Sequence, residues 1–377
     1  MKHVAICFGG ISPEHEVSVI TGLQVIENIE TSEFIPYALY VAPSGEFSLL
    51  RNLTDRSDFL KTARTQIRFG RDDKGGYFET VGLFGKKTYL DCAYFAFHGG
   101  TGESGQLQGM FESLGIPHTG ATVLGAALSM NKAATKEMLT AYEIPSIPGV
   151  SVDSDAARLQ TKDVVSHVLE ELKLPVIVKP SHLGSSIGVT IAKTSGALTK
   201  ALLAASQIDS EIVIEKLMED FIEYNCAVKR VNGELLVSEV ERPIKKDLIL
   251  SFADKYERGG GKKTGGMASL SRELPAKISP RLKDEIQELA KTMYEAVRAE
   301  GMLRCDFMLV GKRLYPIEIN PIPGSMAFYL WEASGMSFTD QITEAITEAI
   351  RTFENAKEKN LKYDSDIIKN FVNSTDH

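Results

Sequence analysis

The chain has few cysteines, and its sequence shows neither the pattern expected of a membrane span nor that of a signal peptide. Its cysteines form no CxxC pair, and each lies among apolar or strand-forming residues: Cys7, Cys92, Cys226 and Cys305. This pattern predicts buried, reduced thiols. No run of about 18 apolar residues could span a membrane, and the N-terminus MKHVAICFGG lacks the basic region and cleavage site of a signal peptide. We therefore predict a cytoplasmic protein that does not enter the membrane.

A basic stripe with interleaved aromatic side chains is also missing. The formal net charge is −8, so nucleic acid is not an expected partner. Acidity does not exclude a nucleotide, because phosphate sites depend on local backbone amides and a few cations. With 43% apolar and 24% charged residues in a length of 377, the composition is that of a globular protein of two or three domains.

Short apolar runs alternate with amphipathic stretches along the whole chain, which indicates α/β architecture. We predict strands over residues 3–8, 37–42, 92–97, 175–179, 211–216, 226–229, 235–241, 304–309 and 314–319. Helices are predicted from about residue 16, over 124–142, between the strands at 175–179 and 211–216, and over 339–353. A polar tail after Asn355 is expected to be partly disordered.

One lysine lies directly before a Gly/Ser-rich turn. Val178-Lys179-Pro180 is followed by Gly184-Ser185-Ser186-Ile187-Gly188. Such a turn can direct backbone N–H groups and hydroxyls at phosphate oxygens, with the lysine as the cation. The spacing fits neither a Walker A loop nor a dinucleotide fingerprint, so a hairpin with a solvent-facing lysine is the alternative. A second lysine, Lys132, taken by itself is a solvated residue at the start of a helix.

Carboxylates near the C-terminal end form a more informative group. Side chains alternate along a strand, so Arg304 and Asp306 share a face of one strand, and Glu318 and Asn320 share a face of the next. Antiparallel pairing would bring Asp306, Glu318 and Asn320 together, and such oxygen ligands suit Mg²⁺ when nucleotide phosphates complete the shell. The alternative is a solvated sheet face. Glu318, however, lies among apolar neighbours, and a buried carboxylate needs a partner.

Two further polar clusters end strands of the first region. Glu14 lies in GGISPEHE after the first strand, and His98 begins HGGTGESG after the strand at 92–97. Both clusters would emerge at the carboxyl edge of a parallel sheet, where ligands often bind. Taken singly, Glu14 could equally be a carboxylate stabilised by a helix dipole, and His98 a hydrogen-bonded turn histidine.

In this order, the segments resemble the D-alanine–D-alanine ligase family of ATP-grasp ligases. The matching elements run from His3 to about Phe353 and read FGGISPEHEVS, HGGTGESGQLQG, IPHTG, SMNKAATK, VIVKPSHLGSSIGV, IEKLM, ADKY, LRCDFML and IEINPIPG. The resemblance implies an α/β fold of the ATP-grasp type, with three α/β domains and ATP held between the central and C-terminal domains. The expected divisions are 1–120, 121–218 and 219–354, with a tail over 355–377.

The resemblance also implies a nucleotide and metal site. The residues expected to bind ATP are Lys132, Lys179, Ser185, Ser186, Glu215, Lys216, Leu217, Met218, Glu223 and Lys255. Among them, Lys132 and Lys179 would hold phosphates, residues 215–218 would form the adenine hinge, and Glu223 would reach the ribose. Asp306, Glu318 and Asn320 are expected to bind two Mg²⁺ ions, for which Mn²⁺ could substitute.

The same resemblance implies the chemistry. The residues expected to act in catalysis are Glu14, Ser185, Tyr256, Arg304 and Gly324. Glu14 and His98 would hold the first amino acid, Arg304 would stabilise the oxyanion and Gly324 would offer a backbone amide. Ser185 would link Glu14 to Tyr256, and the Gly/Lys-rich segment 257–267 fits a mobile lid. The implied reaction joins two D-alanines through an acyl phosphate, giving D-alanyl-D-alanine, ADP and phosphate for peptidoglycan precursors. A homodimer acting on small molecules is expected.

The chain departs from the family where the second amino acid should bind. Ser104, Phe252 and Pro321 stand where the family usually has an acidic residue, Tyr and Thr. The segment after Gly324 is shorter than usual, and the Ser-Leu pair that contacts the second carboxylate is not recognisable. We therefore expect that carboxylate at the Ser325 hydroxyl or at nearby amides.

Three aromatic residues follow this short segment: Phe328, Tyr329 and Trp331. They could line the second pocket, but core positions are favoured, because apolar aromatics ahead of an amphipathic helix usually pack inward.

Two other functions stay open at this point. One is a sister ligase that joins a different second substrate, such as D-serine, D-lactate or another amino acid. The other is a nucleotide-binding module without turnover, against which the intact set of Asp306, Glu318, Asn320 and Arg304 argues.

Overall fold

The structure is a computed structural model that describes residues 1–53, 55–244, 271–357 and 365–373. Within these residues, three larger sheets with flanking helices follow one another along the chain, which confirms the α/β prediction. Each sheet forms within one of the three predicted regions, while the domain boundaries themselves stay a prediction. No helix of the described residues is long and apolar enough to cross a bilayer.

The first sheet lies in the N-terminal region. Its strands are β1 (Lys2–Gly9), β2 (Phe34–Val41), β3 (Phe47–Leu50), β4 (Arg64–Asp72), β5 (Gly75–Thr80), β6 (Lys87–Tyr89) and β7 (Cys92–Phe95). The spatial order is β6-β5-β4-β3-β2-β1-β7, with β1 parallel to β2 and β7. Strand β1 is buried from Val4 to Phe8, as its continuous apolar run requires. Strands β3 to β6 were not predicted. Charged residues and glycines interrupt the apolar pattern of β4 and β5, and β3 and β6 are only four and three residues long.

Helices α1 (His15–Asn28) and α2 (Gln106–Leu114) accompany this sheet. Helix α1 packs against β1, and Gly22 allows the close approach, since a Cβ there would lie 2.3 Å from Cγ of Phe8.

The second region is built around a four-stranded antiparallel sheet. Its elements are α3 (Val123–Met130), α4 (Lys132–Ala141), β8 (Gly149–Asp153), α5 (Ser154–Leu159), α6 (Thr161–Glu171), β9 (Val176–Pro180), β10 (Thr190–Ala192), α7 (Ser195–Ala205) and β11 (Glu211–Lys216). The order is β10-β9-β11-β8. The prediction of one helix over 124–142 is wrong. Asn131 leaves the helical conformation (φ −108°, ψ 106°), and its side chain caps α4 by accepting from the Ala134 N–H at 2.8 Å.

The third region carries another antiparallel sheet, in the order β13-β12-β16-β17. Its elements are β12 (Phe221–Val231), β13 (Glu234–Val237), β14 (Arg242–Pro243), β15 (Arg272–Glu273), α8 (Pro280–Ala296), β16 (Met302–Val310) and β17 (Arg313–Asn320), where β14 and β15 pair separately. The predicted antiparallel pairing of the last two strands is confirmed. The strand predicted over 235–241 ends at Val237, because the Ser238 hydroxyl accepts the Ala227 N–H at 2.9 Å in place of a ladder carbonyl.

Three helices follow the third sheet, and the second of them returns to the first sheet. They are α9 (Phe328–Ala333), α10 (Phe338–Lys357) and α11 (Ile367–Asn373). Helix α10 agrees with the amphipathic prediction, and its residues Phe338, Ile342, Ile346 and Ile350 join the core of the first sheet. Helix α11 lies in the predicted polar tail and was not predicted. The four cysteines are buried free thiols, as expected.

Candidate active site

A cleft with about 1030 Å³ of empty volume lies where the three regions meet. It is lined by Glu14 and His98 from the first region, Lys132, Lys179, Ser185 and Glu215 from the second, and Arg304, Glu318, Asn320 and Gly324 from the third. These residues were predicted from the sequence to bind substrates or act in catalysis. They are far apart in the sequence, but they line one cavity.

Strands β16 and β17 position the acidic end of the cleft. Asp306 is the cross-strand partner of Glu318, and Arg304 is that of Asn320, with an irregularity after Asp306. Pro316 is tolerated here because β17 is an edge strand. Buried Arg304 holds Asp306 in a two-pronged pair, with Nε–Oδ1 at 2.7 Å and Nη2–Oδ2 at 2.8 Å. Although burial opposes its charge, the nearby carboxylate of Asp306 raises the pKa of Arg304 well above its usual value.

The oxygen atoms at this end fit a hard divalent cation. The Asn320 side chain lies 3.2 Å from Asp306 Oδ2, and Glu318 is directly across the ladder from Asp306. Among the described residues, no group of three or more His, Cys, Asp or Glu could hold a metal. A cation here would therefore depend on Asn320 and on phosphate oxygens, which is the arrangement that Mg²⁺ commonly takes in nucleotide enzymes.

Two lysines converge on one buried carboxylate in the middle of the cleft. Glu215 on β11 contacts Lys179 on β9 at 2.5 Å and Lys136 on α4 at 2.8 Å. Burial alone would raise the pKa of Glu215, but the charges of Lys179 and Lys136 outweigh burial and lower it to about 2. Lys132 donates to the Leu183 carbonyl at 2.6 Å, and burial lowers its pKa. The three lysines give the cleft a cationic stretch suited to phosphates.

Lys136 was missed by the sequence reasoning, although a signal was present. It follows Lys132 by four residues in SMNKAATK, and residues four apart lie on the same face of a helix.

A smaller apolar pocket adjoins this stretch. It has about 370 Å³ of empty volume and shares Lys179 and Glu215 with the main cleft. The predicted hinge residues Lys216, Leu217 and Met218 line it together with Ile147, Ile177, Phe221 and Met308. Glu223 is the cross-strand partner of Met308, so the two side chains share a face of the sheet. A flat aromatic base fits apolar walls of this kind.

The Gly/Ser-rich loop reaches across to the first region. The Ser185 hydroxyl donates to Glu14 Oε1, which is the Ser185–Glu14 link implied by the resemblance. A Cβ at Gly184 would lie 2.8 Å from Glu14 Oε2, so a side chain there would force the Glu14 carboxylate to shift. Ser185 and Ser186 both have positive φ, 50° and 61°, and such backbone strain is common at ligand-binding loops.

His98 and Glu103 both hydrogen-bond to the backbone of Ile322, two residues beyond the end of β17. His98 Nδ1 donates to the Ile322 carbonyl at 3.1 Å, and its Nε2 accepts from Thr21 at 2.8 Å. Burial lowers the pKa of His98 to about 4, so its ring is neutral. Since both ring nitrogens are occupied by protein groups, His98 is better suited to position this segment than to hold an amino acid.

Glu103 is a second residue that the sequence reasoning missed. It is buried, and its carboxyl accepts from the N–H groups of Gly99 at 2.6 Å and Ile322 at 3.1 Å. Burial and the neighbouring Glu14 raise its pKa to about 8. The position of Glu103 inside HGGTGESG was a possible signal, but the pattern did not reveal its long-range contact with Ile322.

We expect Glu103→Gln to lower kcat/KM by about tenfold, because one backbone N–H would face an amide NH₂ and lose its acceptor. Steady-state kinetics would measure this loss, and thermal unfolding would show whether the fold is kept. Normal kinetics in a folded variant would mean that Glu103 only fills space.

The short segment after Gly324 is a strained turn. Ser325, Met326 and Ala327 have positive φ values of 50°, 53° and 47°. Gly324 lines the cleft, whereas Ser325 is 2% exposed and is not among its lining residues. The prediction that the aromatics belong to the core is confirmed: Tyr329 and Trp331 are buried in a cluster against which Phe328 packs. Lys255, Tyr256, Phe252 and the predicted lid 257–267 lie outside the described residues.

Comparisons with known proteins agree with this geometry. The family models for the D-ala D-ala ligase N-terminus and C-terminus match residues 3–121 and 138–347. The D-alanine–D-alanine ligase of Thermosipho melanesiensis is 32% identical over 372 residues, covering 98% of this chain and 99% of that protein. That of Lactococcus lactis subsp. cremoris is 31% identical over 358 residues, covering 93% and 96%.

Solved structures give the same result. The D-alanine–D-alanine ligase of Coxiella burnetii has a TM-score of 0.78 and 25% identity, covering 95% of this chain and 98% of that one. A D-Ala:D-Ser ligase of Enterococcus faecalis has a TM-score of 0.78 and 26% identity, covering 92% and 99%.

Fold and cleft together define an ATP-grasp ligase. More specifically, the chain belongs to the D-alanine–D-alanine ligase family. Membership implies the use of ATP, a general dependence on a divalent cation, and small-molecule substrates.

Proposed function

We propose that this ligase joins two D-alanines and converts ATP to ADP and phosphate as it does so. The observation that carries the proposal is the convergence of Lys132 and Lys179 with Arg304, Glu318 and Asn320 in one cleft. Asp306 lies directly across the ladder from Glu318. Lysines suit transferring phosphates, and a buried guanidinium suits a developing oxyanion. The product D-alanyl-D-alanine would enter peptidoglycan precursor synthesis.

The reaction follows from the chemistry of a carboxylate, which is a poor acylating agent. The carboxylate of the first D-alanine attacks the γ-phosphorus, ADP leaves, and an acyl phosphate forms. The amine of the second D-alanine attacks that carbonyl, and collapse of the tetrahedral adduct expels phosphate. Lys132 and Lys179 neutralise phosphate charge, while Glu14 holds the first ammonium group. Arg304 and the Gly324 amide face the oxyanion, which is the charge that develops only in the second step.

Three oxygen-bearing side chains would hold the metal: Asp306, Glu318 and Asn320. When bound, two Mg²⁺ ions, replaceable by Mn²⁺, would neutralise the phosphoryl oxygens. Adenine would occupy the pocket at residues 215–218, with Glu223 at the ribose. A cytoplasmic homodimer, with Lys255 and Tyr256 completing the site, remains a sequence-based prediction.

The second substrate has one alternative with a specific observation behind it. A D-Ala:D-Ser ligase is among the structural neighbours, and the segment after Gly324 is where this chain departs from the family.

Phosphate release from ATP with a panel of D- and L-amino acids, combined with product masses, tests the proposal. D-alanine alone should sustain turnover and give a product of the mass of D-alanyl-D-alanine. Turnover that requires D-serine or a hydroxy acid would replace the proposal with the sister ligase.

Ser325→Ala tests whether the predicted hydroxyl holds the second carboxylate. If it does, the KM of the second amino acid should rise about tenfold or more, the usual loss for one hydrogen bond to a charged group. The KM values of ATP and the first amino acid should change little. An unchanged second KM would assign Ser325 to the buried turn alone, in keeping with its 2% exposure.

A further inference from the structure

One histidine beside the cleft joins three segments of the second region. His182 lies two residues after β9, at the start of the Gly/Ser-rich loop, and its side chain is 42% exposed. Its backbone N–H and its ring Nδ1 each lie 2.7 Å from a carboxylate oxygen of Asp209, two residues before β11. On the other side, ring Nε2 lies 3.1 Å from Nδ2 of Asn131, the residue that caps α4. The ring therefore connects the start of the loop with the segment before β11 and with α4.

The partners on each side determine which ring nitrogen carries the proton. A carboxylate only accepts, so Nδ1 donates to Asp209. The Asn131 side-chain oxygen already accepts from the Ala134 N–H at 2.8 Å and from the Ser181 hydroxyl at 3.0 Å. The amide nitrogen of Asn131 therefore faces His182, and Nε2 accepts from it. The ring satisfies both neighbours only as the neutral tautomer with its proton on Nδ1.

The same segment holds Lys132, the lysine proposed to bind ATP phosphates. Lys132 is the first residue of α4 and directly follows Asn131. Its backbone N–H donates to the Ser181 carbonyl at 3.0 Å, and its Nζ donates to the Leu183 carbonyl at 2.6 Å. Ser181 and Leu183 are the chain neighbours of His182. Both ends of Lys132 therefore contact the segment that His182 anchors.

We propose that His182 is a positioning residue for ATP binding, which acts through Asn131 to hold Lys132 against the Gly/Ser-rich loop. This rests on the proposed function in one respect, since it takes Lys132 as a phosphate-binding residue. The loop also holds Ser185 and Ser186 at positive φ, a strained conformation that neighbouring contacts have to maintain. A loop that is anchored in advance loses less conformational freedom on binding, so the anchor strengthens binding without touching the nucleotide.

A double-mutant cycle on the full chain tests whether His182 acts through Asn131. The probe is Mg²⁺ with an ATP analogue that carries an imido bridge between the β- and γ-phosphates, titrated calorimetrically without amino acid. His182→Phe keeps an aromatic ring but removes both ring nitrogens, and Asn131→Ala removes the amide. Each should weaken binding roughly threefold to tenfold, the effect of about one hydrogen bond. The double variant should bind about as weakly as Asn131→Ala alone, because both changes break one chain of contacts. Additive losses would overturn the proposal.

A conservative variant separates this contact from a general effect on folding. His182→Gln loses the ring but places an amide oxygen within reach of the Asn131 amide nitrogen, so it should recover most of the affinity lost in His182→Phe. Thermal unfolding in parallel shows whether each variant is folded. A folded His182→Gln that binds as weakly as His182→Phe would mean that the contact with Asn131 does not support ATP binding.

Protonation of His182 gives a readout that a purely structural role would not change. The hydrogen bond to Asp209 raises the pKa of His182 against the effect of burial, and Glu211 and Lys132 are the other charged groups near the ring. Below that pKa both ring nitrogens carry protons, so Nε2 can no longer accept from Asn131. The affinity ratio of wild type to His182→Phe should therefore fall toward one between about pH 9 and about pH 6. A ratio that stays constant, or grows because the charged ring itself binds phosphates, would overturn the proposal.

The matched control is His167→Phe, at an exposed histidine on α6 of the same region, which should bind the analogue like wild type. Because no amino acid is present, the binding cycle does not depend on the second substrate. Non-additive losses without phosphate release from D-alanine would refute the proposed function and keep the role of His182. Additive losses with normal D-alanine turnover would do the reverse.

Discussion

Glu318→Gln should abolish turnover while leaving the chain folded. The amide has the same shape as the carboxylate but lacks the charge that a divalent cation needs. Since a bound cation supplies several kcal/mol of stabilisation to the transferring phosphoryl group, kcat should fall by about 10³ or more. The effect should be large because Glu318 is the direct cross-strand partner of Asp306. Loss of either residue would disrupt the same pair of oxygen ligands.

The measurement is phosphate release over a range of Mg²⁺ concentrations, with circular dichroism to confirm the fold. Glu234→Gln is a matched control, because it makes the same change in charge at an exposed position on β13 of the same sheet. That variant should keep wild-type activity. Near-normal kcat in Glu318→Gln would remove this residue from the metal site.

Much of the site could be predicted because its parts follow local rules. Alternation along β16 and β17 placed Arg304 with Asp306 and Glu318 with Asn320, and only the pairing of the strands remained to be found. The loop after Lys179 was recognisable because its glycines tolerate unusual backbone conformations and its serine hydroxyls can contact phosphate oxygens. Strands β4 and β5 were missed because charged residues and glycines interrupt their apolar pattern, and their pairing depends on neighbouring strands.

The features that could not be predicted arise from contacts between distant segments. Glu103 joins the loop after β7 to Ile322, 219 residues further along the chain. Lys136 reaches Glu215 only because α4 packs against β11. Helix α10 packs on the first sheet, although more than 240 residues separate it from β7. A linear pattern contains the residue types of these contacts, but the packing that joins them is a property of the whole fold.

Arg304 should prove to act in the chemical step rather than in ATP binding. In this structure its guanidinium lines the cleft and is paired with Asp306 through Nε and Nη2. Arg304→Ala should lower kcat by about 10²–10³, the usual loss for one oxyanion donor. The KM of ATP should change much less, because the charge that Arg304 addresses develops only when the second amine attacks the acyl phosphate.

Removing Arg304 also leaves the buried Asp306 without its cation, and breaking a buried pair costs about 3–5 kcal/mol. A second variant therefore separates catalysis from folding. Arg304→Lys keeps a positive charge beside Asp306 but loses the planar, multi-donor fork. It should be more stable than Arg304→Ala, yet its kcat should still fall by about tenfold or more, the loss expected from one charge-assisted hydrogen bond.

Steady-state kinetics at saturating amino acids, with unfolding measured in parallel, distinguishes the loss of catalysis from the loss of stability. Normal kcat with weakened ATP binding in the lysine variant would place Arg304 on the phosphates. A fall in kcat in both variants, with the KM of ATP unchanged, would place Arg304 at the oxyanion.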